Sequence, residues 1–157
     1  MQITKSSRHS KITGDFGERL ILYWLSKYGF ECAFVDHVGL DIIARNPHTE
    51  EVMGISVKSR SRNDGKEGEH LNIRNDGVAK LEEACRAFNC VPYFAIVIDG
   101  ANAITVFILS KAHLVKLYPP GKVVMAWKMS KAYLDRYDAD PEIKSFRFTT
   151  KTSKWWP

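Results

Sequence analysis

The chain has 157 residues, of which 45% are hydrophobic and 26% are charged, and this composition indicates one globular domain. It excludes a membrane span, because no apolar stretch is long enough, and a signal peptide, because no apolar region follows the basic N-terminal residues. Three cysteines with no C-x-x-C spacing exclude a disulfide framework and a zinc site, and they fit a cytoplasmic protein. The net charge of +5 is concentrated in residues 1–11 and 143–157. Such basic ends either bind a polyanion, most often nucleic acid, or serve solubility.

The first part of the chain predicts an arm, a helix and three strands. Residues 1–13 are expected to form a flexible basic arm. The helical spacing of Phe16, Leu20, Trp24 and Tyr28 predicts a helix over about residues 15–27. Three β-rich runs follow at 30–35, 40–45 and 52–58, separated by turns at 36–39 and 46–48. We expect these strands to form a meander.

The second part predicts a loop, a helix and a hairpin, followed by short elements. Residues 59–75 are polar and aperiodic, which is typical of a long, functional loop. A helix is predicted from a cap at Asn75 or Asp76 to about residue 89, with Val78, Leu81 and Cys85 on its apolar face together with Phe88. Apolar runs at 92–98 and 103–109 predict a hairpin, and shorter elements are predicted at 111–118, 123–128, 131–137 and 143–150. This order predicts an α/β domain with a mixed sheet and helices on its faces.

Two of the predicted strands contain charged or polar residues among apolar ones. Asp41 lies in the second strand, and Ser56 and Lys58 lie in the third. An unpartnered buried charge costs several kcal/mol, and a metal ion or a phosphate would make these charges tolerable. Strand alternation puts Ser56 and Lys58 on one face, with Asp41 opposite them on the neighbouring strand. Phosphodiester hydrolysis needs such a group, because carboxylates hold a cation that activates water and a lysine screens the charged transition state.

The chain resembles the PD-(D/E)XK nuclease superfamily, and the archaeal-type Holliday-junction resolvases most closely. The residues that carry the resemblance are Gly17-Glu18 and the segments 39–44, 57–60, 81–84 and 92–97. It implies a restriction-endonuclease-like αβββαβ core over residues 14–109. Residues 110–157 have no counterpart in this resemblance, and we expect them to form a C-terminal extension packed on the same domain. It also implies Mg²⁺ as cofactor, with Mn²⁺ as an alternative, and cleavage of DNA. Asp41 would bind the metal with the Val57 carbonyl, Lys58 would be the catalytic lysine, and Glu18 would be an additional acid.

Ser56 departs from this pattern, which expects a carboxylate two residues before the lysine. A hydroxyl is a weaker, neutral ligand for magnesium. Three consequences of Ser56 are open. Glu18 supplies the negative charge that the serine lacks, or the site binds its metal weakly, or the protein has lost catalytic activity. Glu18 itself has a second interpretation, because Asp15-x-x-Glu18 is a capping-box pattern at a helix start.

The expected function is a metal-dependent DNA endonuclease, on branched or junction DNA. The alternatives are a catalytically inactive nucleic-acid-binding module with the same fold and a structural or oligomerisation protein. The expected partners are DNA and a second copy of the chain, with no membrane. Trp155 and Trp156 are expected to pack, although stacking on bases and a dimer interface are alternatives. The residues expected to contact DNA phosphates are Lys5, Arg8, Lys11, Arg60, Arg62, Lys66 and Arg74.

Overall fold

Helices and strands alternate along the chain in a computed structural model that describes residues 4–62, 68–100 and 102–151. Their bounds are α1 (His9–Lys27), β1 (Glu31–His37), β2 (Leu40–Arg45), β3 (Val52–Ser61), β4 (His70–Arg74), α2 (Asn75–Ala87), β5 (Val91–Asp99), β6 (Ala103–Ser110), α3 (Lys111–Leu117), β7 (Val124–Lys128), α4 (Lys131–Ala139) and β8 (Lys144–Thr149). None of the helices in these residues is both long and apolar enough to cross a membrane.

Six strands form the central sheet, in the order β1-β2-β3-β5-β6-β8. The pairing of β3 with β5 is parallel, and the other neighbours are antiparallel. The predicted meander (β1 to β3) and the predicted hairpin (β5 and β6) are confirmed. The strand predicted at 143–150 is β8, which forms one edge of this sheet.

Apolar clusters cover both faces of the sheet. On one face, Ile21 and Leu25 of α1 pack on Ile42, Ile55 and Val57. On the other face, α2 packs with the small sheet of β4 and β7 and with side chains from α3 and α4. Strands covered on both faces are expected to be apolar at nearly every position, as β5 is. The prediction of a mixed sheet flanked by helices is confirmed.

Helix α1 corrects the prediction at its start and on its buried face. It begins at His9 and not near residue 15, so the predicted arm over residues 1–13 overlaps its first turn. Its first two turns bury no large apolar side chain, and hydrophobic spacing therefore does not mark them. The buried residues are Gly17, Ile21 and Leu25, whereas Phe16 and Tyr28 of the predicted face are exposed. Each buried residue follows a predicted one by a single position, because the face of α1 that contains Gly17 is the one that packs against β3.

The loop predicted over residues 59–75 is wrong at both of its ends. Strand β3 continues to Ser61, and β4 occupies His70–Arg74. Strand β4 pairs with β7 in a separate antiparallel sheet, and only its two alternate residues Leu71 and Ile73 are buried. A partner about 50 residues later in the chain gives β4 its structure, and no local pattern reveals that partner. Helix α2 follows directly, with Arg74 as its N-cap residue in place of Asn75 or Asp76.

Candidate active site

Asp41 lies at an irregular point of the sheet. The register of β1 on β2 shifts by one residue between Phe34 and His37, so that two residues of β1 face Asp41. Such a β-bulge bends a strand and changes the direction of the side chain beside it. The register of β2 on β3 ends at Ile42, and beyond it the Asp41 carboxylate accepts a 2.6 Å hydrogen bond from the Val57 N–H. A carboxylate thus takes the position of a backbone carbonyl between two strands.

The Val57 carbonyl lies on the same edge of β3 as its N–H, because both backbone groups of a strand residue point to the same neighbour. It therefore faces the region beyond the last β2–β3 pair, where the Asp41 carboxylate lies. This edge carries two hard oxygen donors, one from a side chain and one from the backbone.

Gly17 allows α1 to approach this region closely. A Cβ atom at position 17 would overlap the Ser59 hydroxyl and would lie 3.1 Å from Ser59 Cβ and 3.5 Å from Val57 Cγ1. A glycine is therefore needed for this contact between helix and strand. The next residue is Glu18, which lies close enough to Asp41 for the two charges to interact.

The pKa of Glu18 is raised above its ordinary value of 4.5. Partial burial is the largest cause, and the negative charges of Asp41 and Asp15 follow. Two carboxylates that disfavour each other's ionisation are stabilised by a cation placed between them. The capping-box interpretation of Glu18 is wrong, because α1 begins at His9 and Glu18 is in its third turn.

Ser56 and Lys58 flank Val57 on β3. The Val57 side chain packs with the α1 cluster, so alternation puts both neighbours on the opposite face of the sheet. Ser56 is only 3% exposed, and its register partner on β5 is Phe94. Lys58 is half-buried, and within the described residues it forms no ion pair with a carboxylate. Asp41 is thus joined to Val57 by a hydrogen bond and to Glu18 by the interaction of their charges. Ser56 and Lys58 are the residues before and after Val57 on β3.

One residue from each basic end of the chain, Lys5 and Thr150, lies at the same end of the central sheet, whereas Lys144 pairs with Ile108 towards the other end. The Lys5 ammonium donates a 2.8 Å hydrogen bond to the carbonyl of Ser61, the last residue of β3. Ser61 pairs with Asp99 of β5, and the β5–β6 turn begins there. At that turn, Thr150 N–H donates a 2.9 Å hydrogen bond to Asn102 O. Lys58 is three residues before Ser61, or about 10 Å along the strand, so Lys5 lies at the end of β3 that follows Lys58.

The seven residues expected to contact phosphates differ in their surroundings. Arg74 forms a two-point hydrogen-bonded ion pair with Asp76, and Lys11 forms an ion pair with Asp15 at 3.3 Å. These two charges are therefore partly neutralised. Lys66, like Trp155 and Trp156, lies outside the described residues. The other four residues belong to the start of the chain or to the end of β3 and the residue after it; they are Lys5, Arg8, Arg60 and Arg62.

A cleft of about 340 Å³ separates the start of α1 from the end of β3. Its lining includes Lys5, His9, Thr13, Ser59, Arg60 and Ser61. Three of these residues, His9, Thr13 and Ser59, were not among the predicted site residues. His9, Thr13 and Gly17 follow each other at a spacing of four residues on one face of α1, which would have been visible had the helix been started at His9.

A second polar cluster lies at α3 and the turn before β8. His113 is buried, its Nε2 is 2.8 Å from Asp140, and its Nδ1 is 3.1 Å from Glu142. The ligand atoms of the three residues lie within 4.8 Å of one another, a spacing that a metal ion could use. Each ring nitrogen already faces a carboxylate, and Lys116 lies 3.8 Å from Glu142. We interpret the cluster as an ionic clamp between α3 and β8.

These features define the class of structure. A mixed sheet with an antiparallel meander, a parallel β3–β5 pair and helices on both faces is the restriction-endonuclease-like fold. Among solved structures, the chain is similar to Hjc, a Holliday junction resolvase from the archaeal hyperthermophile Archaeoglobus fulgidus. The TM-score is 0.56 and the sequence identity 21%, over 78% of this chain and 88% of that one. No protein-family model and no curated protein matches the sequence. At this identity the similarity shows the fold.

Proposed function

We propose that the chain is a metal-dependent DNA endonuclease that hydrolyses phosphodiester bonds, with branched or junction DNA as its substrate. The observation that carries the proposal is the Asp41 carboxylate, which a bulge and the Val57 N–H hold at the point where the β2–β3 pairing ends, within reach of the Glu18 charge. Bulges are frequent next to active sites. The shared fold with a Holliday junction resolvase favours a branched substrate.

The oxygen donors at this point between β2 and β3 fit a magnesium ion. Asp41 and Glu18 offer carboxylates and Val57 offers a carbonyl, and magnesium prefers hard oxygen ligands of these kinds. The raised pKa of Glu18 supports this assignment, because a cation would stabilise its ionised form. Manganese would suit the same oxygen ligands. When bound, such an ion screens the phosphate charge and activates a water molecule.

The chain itself supplies orientation and positive charge in this proposal. The hydrogen bond from Val57 fixes the Asp41 carboxylate, and its second oxygen, which has no hydrogen bond within residues 4–62, 68–100 and 102–151, could hold a cation. The Lys58 ammonium would stabilise negative charge that develops on the phosphate. Lys5, Arg60 and Arg62, beside the end of β3, would bind the DNA backbone.

Cleavage assays on a four-way junction, a linear duplex and a single strand test the proposal, each with Mg²⁺ and with Mn²⁺. We expect Asp41→Asn and Lys58→Met to abolish cleavage and Glu18→Gln to reduce it strongly. Glu83→Gln, an exposed acid on α2, is the matched control and should retain full activity. Thermal melting of each variant checks the fold. Full activity of both Asp41→Asn and Lys58→Met would refute the proposed mechanism.

Ser56 favours a second candidate, an inactive nucleic-acid-binding module. The Ser56 side chain is 3% exposed and uncharged, whereas the PD-(D/E)XK pattern that the chain resembles has an acid at this position. DNA binding by the wild type without cleavage or metal affinity would support this candidate. Ser56→Glu discriminates further, since a buried glutamate would be stabilised by a cation held at Asp41. We expect this variant to bind Mg²⁺ more tightly than wild type if the endonuclease proposal is correct.

The proposed homodimer and the division into a core over 14–109 and an extension over 110–157 are predictions as well. Sedimentation of the full chain, alone and with DNA, measures the first. Limited proteolysis followed by mass spectrometry measures the second.

A further inference from the structure

Two of the three cysteines meet at the C-terminal end of α2, above Gly54 of β3. A Cβ atom at position 54 would lie 2.5 Å from the Cys85 sulfur and 2.5 Å from the Cys90 sulfur, so the two sulfurs are at most about 5 Å apart. Both residues pack in the apolar cluster on the α2 face of the sheet, whereas Cys32 packs with the α1 cluster on the other face. All three cysteines are free. The sheet thus separates a pair of thiols from a single one.

The end of α2 explains why the two thiols meet. The Cys90 N–H donates a 2.9 Å hydrogen bond to the Cys85 carbonyl. Asn89, whose φ of 51° is in the left-handed region, donates a second hydrogen bond of 3.4 Å to the Arg86 carbonyl. This is a Schellman motif, in which the side chains at the two ends of the longer hydrogen-bonded loop come into contact. An apolar pair usually makes that contact, and here two thiols make it.

A cleft of about 420 Å³ opens onto the pair and includes both cysteines in its lining. Cys85 is buried, whereas Cys90 is half-buried. Burial raises the pKa of the Cys85 thiol to about 12, and the hydrogen bond with Cys90 acts in the same direction. The thiolate is the reactive form of cysteine, and Cys85 is therefore a poor first nucleophile at neutral pH. Cys90 is the thiol of the pair that a reagent in the cleft reaches.

We propose that Cys85 and Cys90 are a redox-active dithiol that closes to a disulfide when the protein meets hydrogen peroxide. In the first step the Cys90 sulfur attacks a peroxide oxygen, the O–O bond breaks, and Cys90 becomes a sulfenic acid while one water leaves. In the second step the Cys85 sulfur attacks the Cys90 sulfur, the S–S bond forms, and the sulfenic hydroxyl leaves as water with the Cys85 proton. The peroxide accepts the two electrons.

This disulfide would tie the end of α2 to the residue that precedes β5. It uses neither Asp41 nor Lys58 and is therefore independent of the proposed endonuclease. A dithiol reductant reverses it by thiol–disulfide exchange, which returns both thiols.

Peptide mapping of the full chain after treatment with hydrogen peroxide tests the proposal. Free thiols are then alkylated and the protein is digested with trypsin, which cuts after Arg86, between the two cysteines. We expect the peptides that contain Cys85 and Cys90 to remain joined, with a mass lower by two hydrogen atoms than that of the two separate thiol peptides. Cys32 should be alkylated as in the untreated protein. Dithiothreitol should separate the two peptides and restore both thiols to alkylation.

Three variants assign the roles, and thermal melting checks that each is folded. Cys85→Ala should stop at the sulfenic acid of Cys90, which dimedone traps, because no thiol resolves it. Cys90→Ala should leave Cys85 unmodified. Cys32→Ala is the matched control and should form the disulfide at the wild-type rate. The map of the wild type needs no variant: if peroxide leaves both thiols free, or oxidises Cys90 to a sulfinic acid without a disulfide, the proposal is overturned and the two cysteines are apolar packing.

Discussion

Replacing Gly17 by alanine should destabilise the protein, although the same change at Gly14 should stabilise it. Both glycines are inside α1, where alanine is favoured over glycine by about 0.5–1 kcal/mol. At Gly14 a Cβ atom meets nothing within 4 Å, so the whole gain should be observed. At Gly17 a Cβ atom overlaps the Ser59 hydroxyl and lies 3.1 Å from Ser59 Cβ. Overpacking of this kind costs about 1–3 kcal/mol, which exceeds the helical gain.

Urea unfolding at constant m value measures the difference between the two variants, which should be about 1–3 kcal/mol. Ser59→Ala alone should be nearly neutral, because the lost hydroxyl is buried without a partner in the described residues. In the Gly17→Ala background it should restore part of the lost stability, and this coupling identifies the contact. The reasoning is refuted if Gly17→Ala is as stable as Gly14→Ala.

Other changes test the charges and the core. The pKa of Glu18 is raised, so ionisation of this carboxyl destabilises the folded state as the pH rises above its ordinary value of 4.5. Glu18→Gln should therefore raise Tm at pH 7, and the difference from wild type should disappear below about pH 4. Calorimetry without metal measures both. Burial opposes ionisation of Asp140, but its hydrogen bonds with His113 and the Glu142 N–H lower its pKa overall. Asp140 therefore contributes stability above its ordinary value of 3.8 that is lost as pH falls, and Asp140→Asn should lower Tm at pH 7 but not at pH 2. Trp127 is fully buried, and its Nε1 has no hydrogen-bond partner in the described residues. Trp127→Ala should lower the free energy of unfolding by about 3–5 kcal/mol, and Trp127→Phe by much less, as measured by chemical unfolding.

The sequence predicted the order of elements well where each element buries its own apolar pattern. Strands β5 and β6 are continuous apolar runs, and Val78, Leu81 and Cys85 of α2 are buried as their spacing indicates. Strand β4 was missed because it has only two buried residues and a distant partner. The start of α1 was missed because its first turns pack with polar side chains.

In the candidate site, too, one feature could be predicted from the sequence and the contacts between residues could not. A carboxylate inside an apolar strand marks Asp41 without any knowledge of the fold. Its contact with a backbone N–H could not be predicted, because it depends on a register shift in the neighbouring strand. The approach of Glu18 depends on Gly17 and Ser59, which are 42 positions apart and meet only when α1 lies on β3.

The parallel pairing of β3 with β5 has a consequence for how the chain folds. It joins residues 38 positions apart, from Met53 opposite Val91 to Ser61 opposite Asp99, whereas the β1–β3 meander and the β5–β6 hairpin pair neighbouring segments. Non-local strand pairing is slow because the loop-closure entropy is lost first. We expect the two local units to form early and the seam between them to close late. The contact of Asp41 with β3 would then arise inside the early unit, before Ser61 pairs with Asp99 at the end of the seam.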